Sequence, residues 1–208
     1  MITHTKETQS ALNPNTAWEL LKEGNKRFVE KNQTDRDLLE QVAETASGQY
    51  PFATILSCID SRVSAELIFD QGVGDIFSAR VAGNIVNEDI LGSMEFACKL
   101  AGTKIIVVLG HTSCGAVKGA CDDAKMGNLT ALLSKIRPAV NAVQEPTDTG
   151  ERTSKNIDFV NAVADKNVRL TIENIRTQSP VLKEMEDNGE ILIVGGMYDI
   201  KNGKISYM

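Results

Sequence analysis

The chain has 208 residues, 42% hydrophobic and 24% charged, which is enough for one domain with its own core and too apolar for intrinsic disorder. A formal charge of −6 repels phosphate backbones and argues against a nucleic-acid partner, and no run approaches the roughly 18 apolar residues of a membrane helix. Four cysteines against two histidines exclude a three-histidine metal site and are too sparse for a disulfide scaffold. The N-terminus has no basic stretch followed by an apolar run, so a cytoplasmic protein with reduced thiols is expected, away from membranes.

From Thr16 to about Lys31, Ala17, Leu21 and Phe28 recur at helical spacing beside Trp18, behind Asn15 or Thr16 as a cap. They predict an N-terminal helical arm, residues 1–35, that packs on its own body or, preferably, on a partner subunit. A weaker helix is expected from about Arg36 to Ser47. Phe52 to Ser57 reads as a strand buried on both faces, and Ile76 to Val81 as a second. Ile90, Met94, Ala97, Cys98 and Ala101 share one face of a helix that stops at Gly102. Lys104 to Leu109 is the strongest strand pattern in the chain. The stretch from Gln144 to Thr153 reads as a surface loop. Ile157, Val160, Ala164, Val168, Ile172 and Ile175 trace a long helix, and Ile191 to Val194 a last strand before Gly195 and Gly196. Strands alternating with helices predict a single α/β domain over 1–208, with a mainly parallel central sheet flanked by helices. In such sheets ligands sit beyond the carboxyl ends of the strands.

Two cysteines follow apolar strands, in Cys58-Ile59-Asp60-Ser61-Arg62 and in Gly110-His111-Thr112-Ser113-Cys114-Gly115. If those strands are neighbours, Cys58, His111 and Cys114 meet in one crevice as a zinc donor set, with Asp60 near enough to be a fourth donor. Three protein ligands mark a catalytic zinc and four a structural one. The competing readings are two small core cysteines, or a redox pair, which lacks Cys-x-x-Cys spacing. Arg62 is placed to hold Asp60 in a bidentate pair, which would draw it off a metal. Cys98 and Cys121 share helix faces with apolar neighbours and are assigned to packing. His4, in a polar segment, is assigned to solvent. Gly72-Val73-Gly74 and Val81-Ala82-Gly83-Asn84 match no phosphate loop and read as turns.

Cys58-x-Asp60-x-Arg62 together with His111-x-x-Cys114 resembles the paired signature of the β-class carbonic anhydrases, and the resemblance runs from about Trp18 to the final strands. It implies one zinc ion per subunit on Cys58, His111 and Cys114, and a catalytic dyad of Asp60 and Arg62. In a closed form Asp60 becomes the fourth ligand. It also implies a substrate-orienting Gln49 and an aromatic Phe77 lining the pocket. The pocket wall would include Ala82, where some relatives carry a bulkier aliphatic residue, and the Gly115 amide would face an oxyanion. The implied reaction is reversible hydration of carbon dioxide to bicarbonate and a proton by attack of zinc-bound hydroxide, in a homodimer or a multiple of dimers. The rival readings are a carbon disulfide or carbonyl sulfide hydrolase on the same site, and a non-catalytic zinc-binding assembly protein with Asp60 always on the metal.

Overall fold

The computed structural model describes residues 3–208. Three helices precede the sheet: α1 (Lys6–Ala11), α2 (Pro14–Val29) and α3 (Leu38–Thr45). Asn13 starts α2, its side chain accepting from the Thr16 amide while the Thr16 hydroxyl accepts from the Asn13 amide, with Pro14 in the first turn. Thr5 and Thr8 make the same reciprocal cap for α1, a helix too short to be expected from periodicity. The arm docks on its own chain along one face, where Ala17 and Leu21 are fully buried. Gln9 fastens α1 by donating from Nε2 to the carbonyls of Pro51, at 2.6 Å, and Ala101, at 2.8 Å.

The strands are β1 (Ala53–Ser57), β2 (Ile76–Arg80), β3 (Ile105–His111), β4 (Leu192–Tyr198) and β5 (Ile205–Tyr207), in the order β2-β1-β3-β4-β5. The first four are parallel, as expected of buried apolar runs, and β5 returns antiparallel to β4. The last long strand continues through Gly195 and Gly196 rather than ending before them. Side chains alternate across the sheet. From β3, Ile105, Val107 and Leu109 join a cluster with α2 and α4 (Ala65–Ile68), while Ile106 and Val108 join Met94, Val168, Ile172 and Leu182 on the opposite face. That opposite face is covered by α5 (Glu88–Glu95), which runs on as a π-helical turn over Phe96–Leu100, and by two later helices.

Between β3 and β4 come α6 (Gly115–Cys121), α7 (Gly127–Ser134), α8 (Arg137–Ala142), α9 (Ile157–Gln178) and α10 (Pro180–Asp187). The expected loop follows α8 and holds one short 3₁₀ turn, Thr149–Glu151. Helix α9 lies close on β3 because Gly110 has no side chain: a Cβ there would stand 2.5 Å from Val168 Cγ2.

Asp70, just past α4, ties the arm to the body. Its carboxylate accepts from Arg27 Nε at 2.5 Å, Arg36 Nη1 at 2.6 Å and the Thr34 amide, and its carbonyl accepts from Arg36 Nη2. In the sheet register Ser57 stands opposite both Arg80 and Leu109. The carboxyl ends of β2, β1 and β3 therefore share one rim, and β3 extends beyond that level to His111.

Candidate metal centre

Cys58 is the first residue past β1, His111 the last of β3, and Cys114 the residue that opens α6. Adjacent parallel strands bring them together as expected. The two sulfurs are 3.9 Å apart, all three ligand atoms lie within 4.8 Å of one another, and all three residues are buried. His111 Nδ1 donates to the Thr112 carbonyl at 2.9 Å, which fixes the tautomer and leaves the Nε2 lone pair free. Nε2 is buried without a hydrogen-bond partner. An acceptor left so beside two thiols is costly unless a cation takes it, and the donor set suits zinc.

The hydrogen bond from Cys114 holds Cys58 well below the usual thiol range, and the same bond, with burial, pushes Cys114 up. The Gly83 amide also donates to Cys58 Sγ, at 3.4 Å. Gly83 has φ of +71°, and a Cβ there would stand 2.5 Å from Ile136 Cδ1, so only glycine brings this amide to the sulfur without strain.

Asp60 is turned toward Arg62. Its Oδ1 accepts from the Arg62 amide at 3.0 Å and from Nε at 2.9 Å, and Oδ2 accepts from Nη2 at 2.7 Å. The guanidinium holds the Asp60 carboxyl far below the usual carboxylate range. The same Oδ2 is 3.9 Å from His111 Nε2, so the carboxylate borders the ligand set.

Three supporting residues have no local sequence signal. Arg80, at the end of β2, donates from Nε to the Cys58 carbonyl at 3.1 Å and from Nη2 to the Asp60 carbonyl at 2.7 Å, bracing the loop between them. Asn167, on α9, donates to the Gly83 carbonyl at 2.8 Å. Asn161, on the same helix, accepts from the Ser113 amide at 2.9 Å.

A cavity of about 320 Å³ opens beside the ligands, lined by Cys58, Asp60, Ala82, Gly115 and the apolar side chains of Ile59, Ala116, Leu129 and Leu133. Ala82 and Gly115 thus both border this cavity. Gln49 and Phe77 do not line this cavity. Gln49 lies before β1, at the amino end of a parallel strand whose carboxyl end carries Cys58, and it borders a shallow depression with Thr45 and Val73. Phe77 is paired with Thr54 partway down β2 and lines a separate cleft with Ile90 and Phe96.

Burial pushes both Cys98 and Cys121 up to about 11, in keeping with packing roles. His4 does not point free into solvent but lies on Phe52, ring centroids 5.1 Å apart.

Two thiols and an imidazole at the carboxyl rim of a parallel sheet, beside a carboxylate gripped by a guanidinium, define an α/β protein with a donor set able to hold a metal ion. Residues 53–205 match the family model described as "Carbonic anhydrase". The chain is 38% identical over 193 residues to carbonic anhydrase 2 of Mycobacterium tuberculosis, covering 92% of this chain and 91% of that protein. It superposes on the crystal structure of the β-carbonic anhydrase CafA of Aspergillus fumigatus with a TM-score of 0.71 at 25% identity, covering 93% and 89% of the two chains. A structure of the tetrameric β-carbonic anhydrases from Sordaria macrospora shares the fold, with a TM-score of 0.70 at 24% identity over 93% of this chain and 92% of that one. The chain belongs to the β-class carbonic anhydrases, a family of enzymes.

Proposed function

We propose that the chain catalyses the reversible hydration of carbon dioxide to bicarbonate and a proton, with one zinc ion per subunit held by Cys58, His111 and Cys114. The observation that carries this reading is the unpartnered, buried Nε2 of His111 facing two thiols next to Asp60. Zinc in such a site supplies a Lewis acid that lowers the pKa of water from 15.7 toward about 7.

The residues divide the remaining work. Asp60, kept ionised by Arg62, has only acceptor capacity, so it takes a hydrogen bond from the attacking group and orients it. Arg62 is committed to Asp60 through both Nε and Nη2, which favours a three-ligand site over one closed by the carboxylate. Ile59, Ala82, Ala116, Leu129 and Leu133 give the cavity the apolar character that suits a small uncharged substrate. The Gly115 amide, at the start of α6, is placed to meet negative charge developing on that substrate.

Gln49 and Phe77 act in a second copy of the chain. They stand off their own cavity, and Phe77 lies on β2, an edge strand of the sheet. Beside it a cleft of about 660 Å³ adjoins the half-exposed Phe96. An open edge with apolar flanks is a surface that a partner strand or helix covers. The assembly is a homodimer or a multiple of dimers, the exposed face of the N-terminal arm contributes to it, and residues 1–208 form one domain. No helix among the described residues is long and apolar enough to cross a membrane. Four free cysteines, two of them ligands, suit a reducing compartment such as the cytoplasm.

Stopped-flow measurement of carbon dioxide hydration, before zinc removal, after it and after zinc is restored, tests the reading. Activity that disappears and returns with the metal is expected. A zinc-loaded chain with no hydration above the uncatalysed rate overturns it.

A further inference from the structure

His111 and Cys114 are joined by only two residues, and one of them is strained. Ser113 has φ of +58°, in the left-handed region that a non-glycine residue occupies at a cost. That conformation turns the chain sharply enough for His111, at the end of a strand, and Cys114, at the head of a helix, to face one point. Something outside the turn must hold it.

On the strand side the turn is anchored through Thr112, whose amide donates to the Tyr198 carbonyl at 3.0 Å and whose hydroxyl accepts from the Ile200 amide at 3.2 Å. The strained residue itself is held by one side chain. The Ser113 amide donates to Asn161 Oδ1 at 2.9 Å across 48 positions of sequence. Asn161 lies one turn into α9, whose neighbours Phe159, Val160, Val163 and Ala164 are buried in the cluster that also contains Cys58 and Cys114. The acceptor is therefore mounted on an element rigidly packed around the ligands.

We propose that Asn161 is a positioning residue for the metal: it holds Ser113 in its left-handed conformation and so sets the angle between the His111 and Cys114 ligands. It touches neither metal nor substrate. The inference rests on the zinc reading above and adds a residue to it that acts through the backbone.

If Asn161 works by holding a strained backbone, a residue that adopts that conformation freely makes it dispensable. Glycine populates positive φ about as readily as negative. The test is apparent zinc affinity, measured on the full chain by competition with a chromophoric chelator. Asn161→Ala is expected to weaken zinc by about 10- to 100-fold, the usual effect of losing an outer partner of a metal ligand. Asn161→Ala combined with Ser113→Gly is expected to recover most of that loss, which the loss of a merely structural contact would not do. An Asn161→Ala chain with parental affinity overturns the inference alone, and so does a loss that Ser113→Gly leaves unrepaired. A parent chain that holds no zinc overturns the metal reading and this inference with it. Amide exchange in the metal-free parent needs no variant to fold: the Ser113 amide is expected to be protected, and exchange at the rate of an open loop overturns the proposal.

Discussion

Arg62 grips Asp60 with two parallel hydrogen bonds, Nε to Oδ1 at 2.9 Å and Nη2 to Oδ2 at 2.7 Å, while Oδ2 also stands 3.9 Å from His111 Nε2. One carboxylate thus belongs to a surface ion pair and borders a buried ligand set at the same time. A fork-to-fork pair fixes direction as well as charge, so Asp60 is a poised acceptor with little freedom to turn.

Replacing Asp60 by alanine should therefore separate catalysis from metal binding. Hydration is expected to fall by about 10²- to 10⁴-fold, the range that a positioned proton-handling group contributes. Zinc per chain, read by elemental analysis, is expected to stay at the parental value, because the three ligands remain. An unchanged rate would remove Asp60 from the reaction.

The separation of Gln49 and Phe77 from their own cavity leads to a mixing experiment. Chains carrying Gln49→Ala and chains carrying Asp60→Ala are each expected to be nearly inactive. After subunit exchange at equal amounts, two-fold symmetry with random pairing leaves one intact site in each mixed dimer, or about a quarter of all sites. Recovery to about a quarter of the parental rate is expected. If Gln49 served its own chain, the mixture would stay as inactive as its components.

The cysteines divide by environment. In the metal-free protein the hydrogen bond from Cys114 holds the Cys58 thiol well below the usual thiol range, whereas burial pushes Cys98 and Cys121 up to about 11. Since the thiolate is the nucleophile, iodoacetamide at pH 7 should label Cys58 ahead of Cys98 and Cys121, as read by peptide mapping. Zinc loading should suppress that labelling.

Asp70 makes stability depend on acid. Burial alone would raise its pKa, but the hydrogen bonds from Arg27 and Arg36 outweigh it and the folded value lies below the ordinary 3.8. A depressed folded value contributes stability that is present above about pH 4 and drains away as pH falls through the folded pKa. Asp70→Asn removes a buried charge that two guanidinium groups surround, which should cost about 3–5 kcal/mol. Denaturant melts are expected to show that gap at pH 7 and a narrower one below pH 4. A gap independent of pH would exclude the ionised carboxylate as its source.

Much of the site was readable because its ligands are local to strand ends. An apolar run followed at once by cysteine, or by Gly-His, marks where a buried strand meets a rim, and Asp60 and Arg62 lie within one turn of that point. The helices α7 and α8 were not readable, since each is eight residues or shorter and neither starts with a side-chain cap. Strand β5 has only three residues, and it forms because the turn after Tyr198 folds it back onto β4. The positions of Gln49 and Phe77 relative to the cavity depend on which end and which edge of the sheet they occupy, which pairing decides and spacing does not. Arg80 and Asn161 act across 20 or more positions through one or two hydrogen bonds each, a kind of contact that leaves no periodic trace.

Arg80 ends the strand that forms the open edge of the sheet, and its guanidinium reaches inward to the carbonyls on either side of Ile59. A partner settling on that edge would lie beside the strand end whose Arg80 steadies the loop from Cys58 to Asp60. In a paired enzyme, turnover per chain would then carry the mass-action signature of assembly, falling on dilution toward the dissociation constant and recovering on concentration, with no effector required.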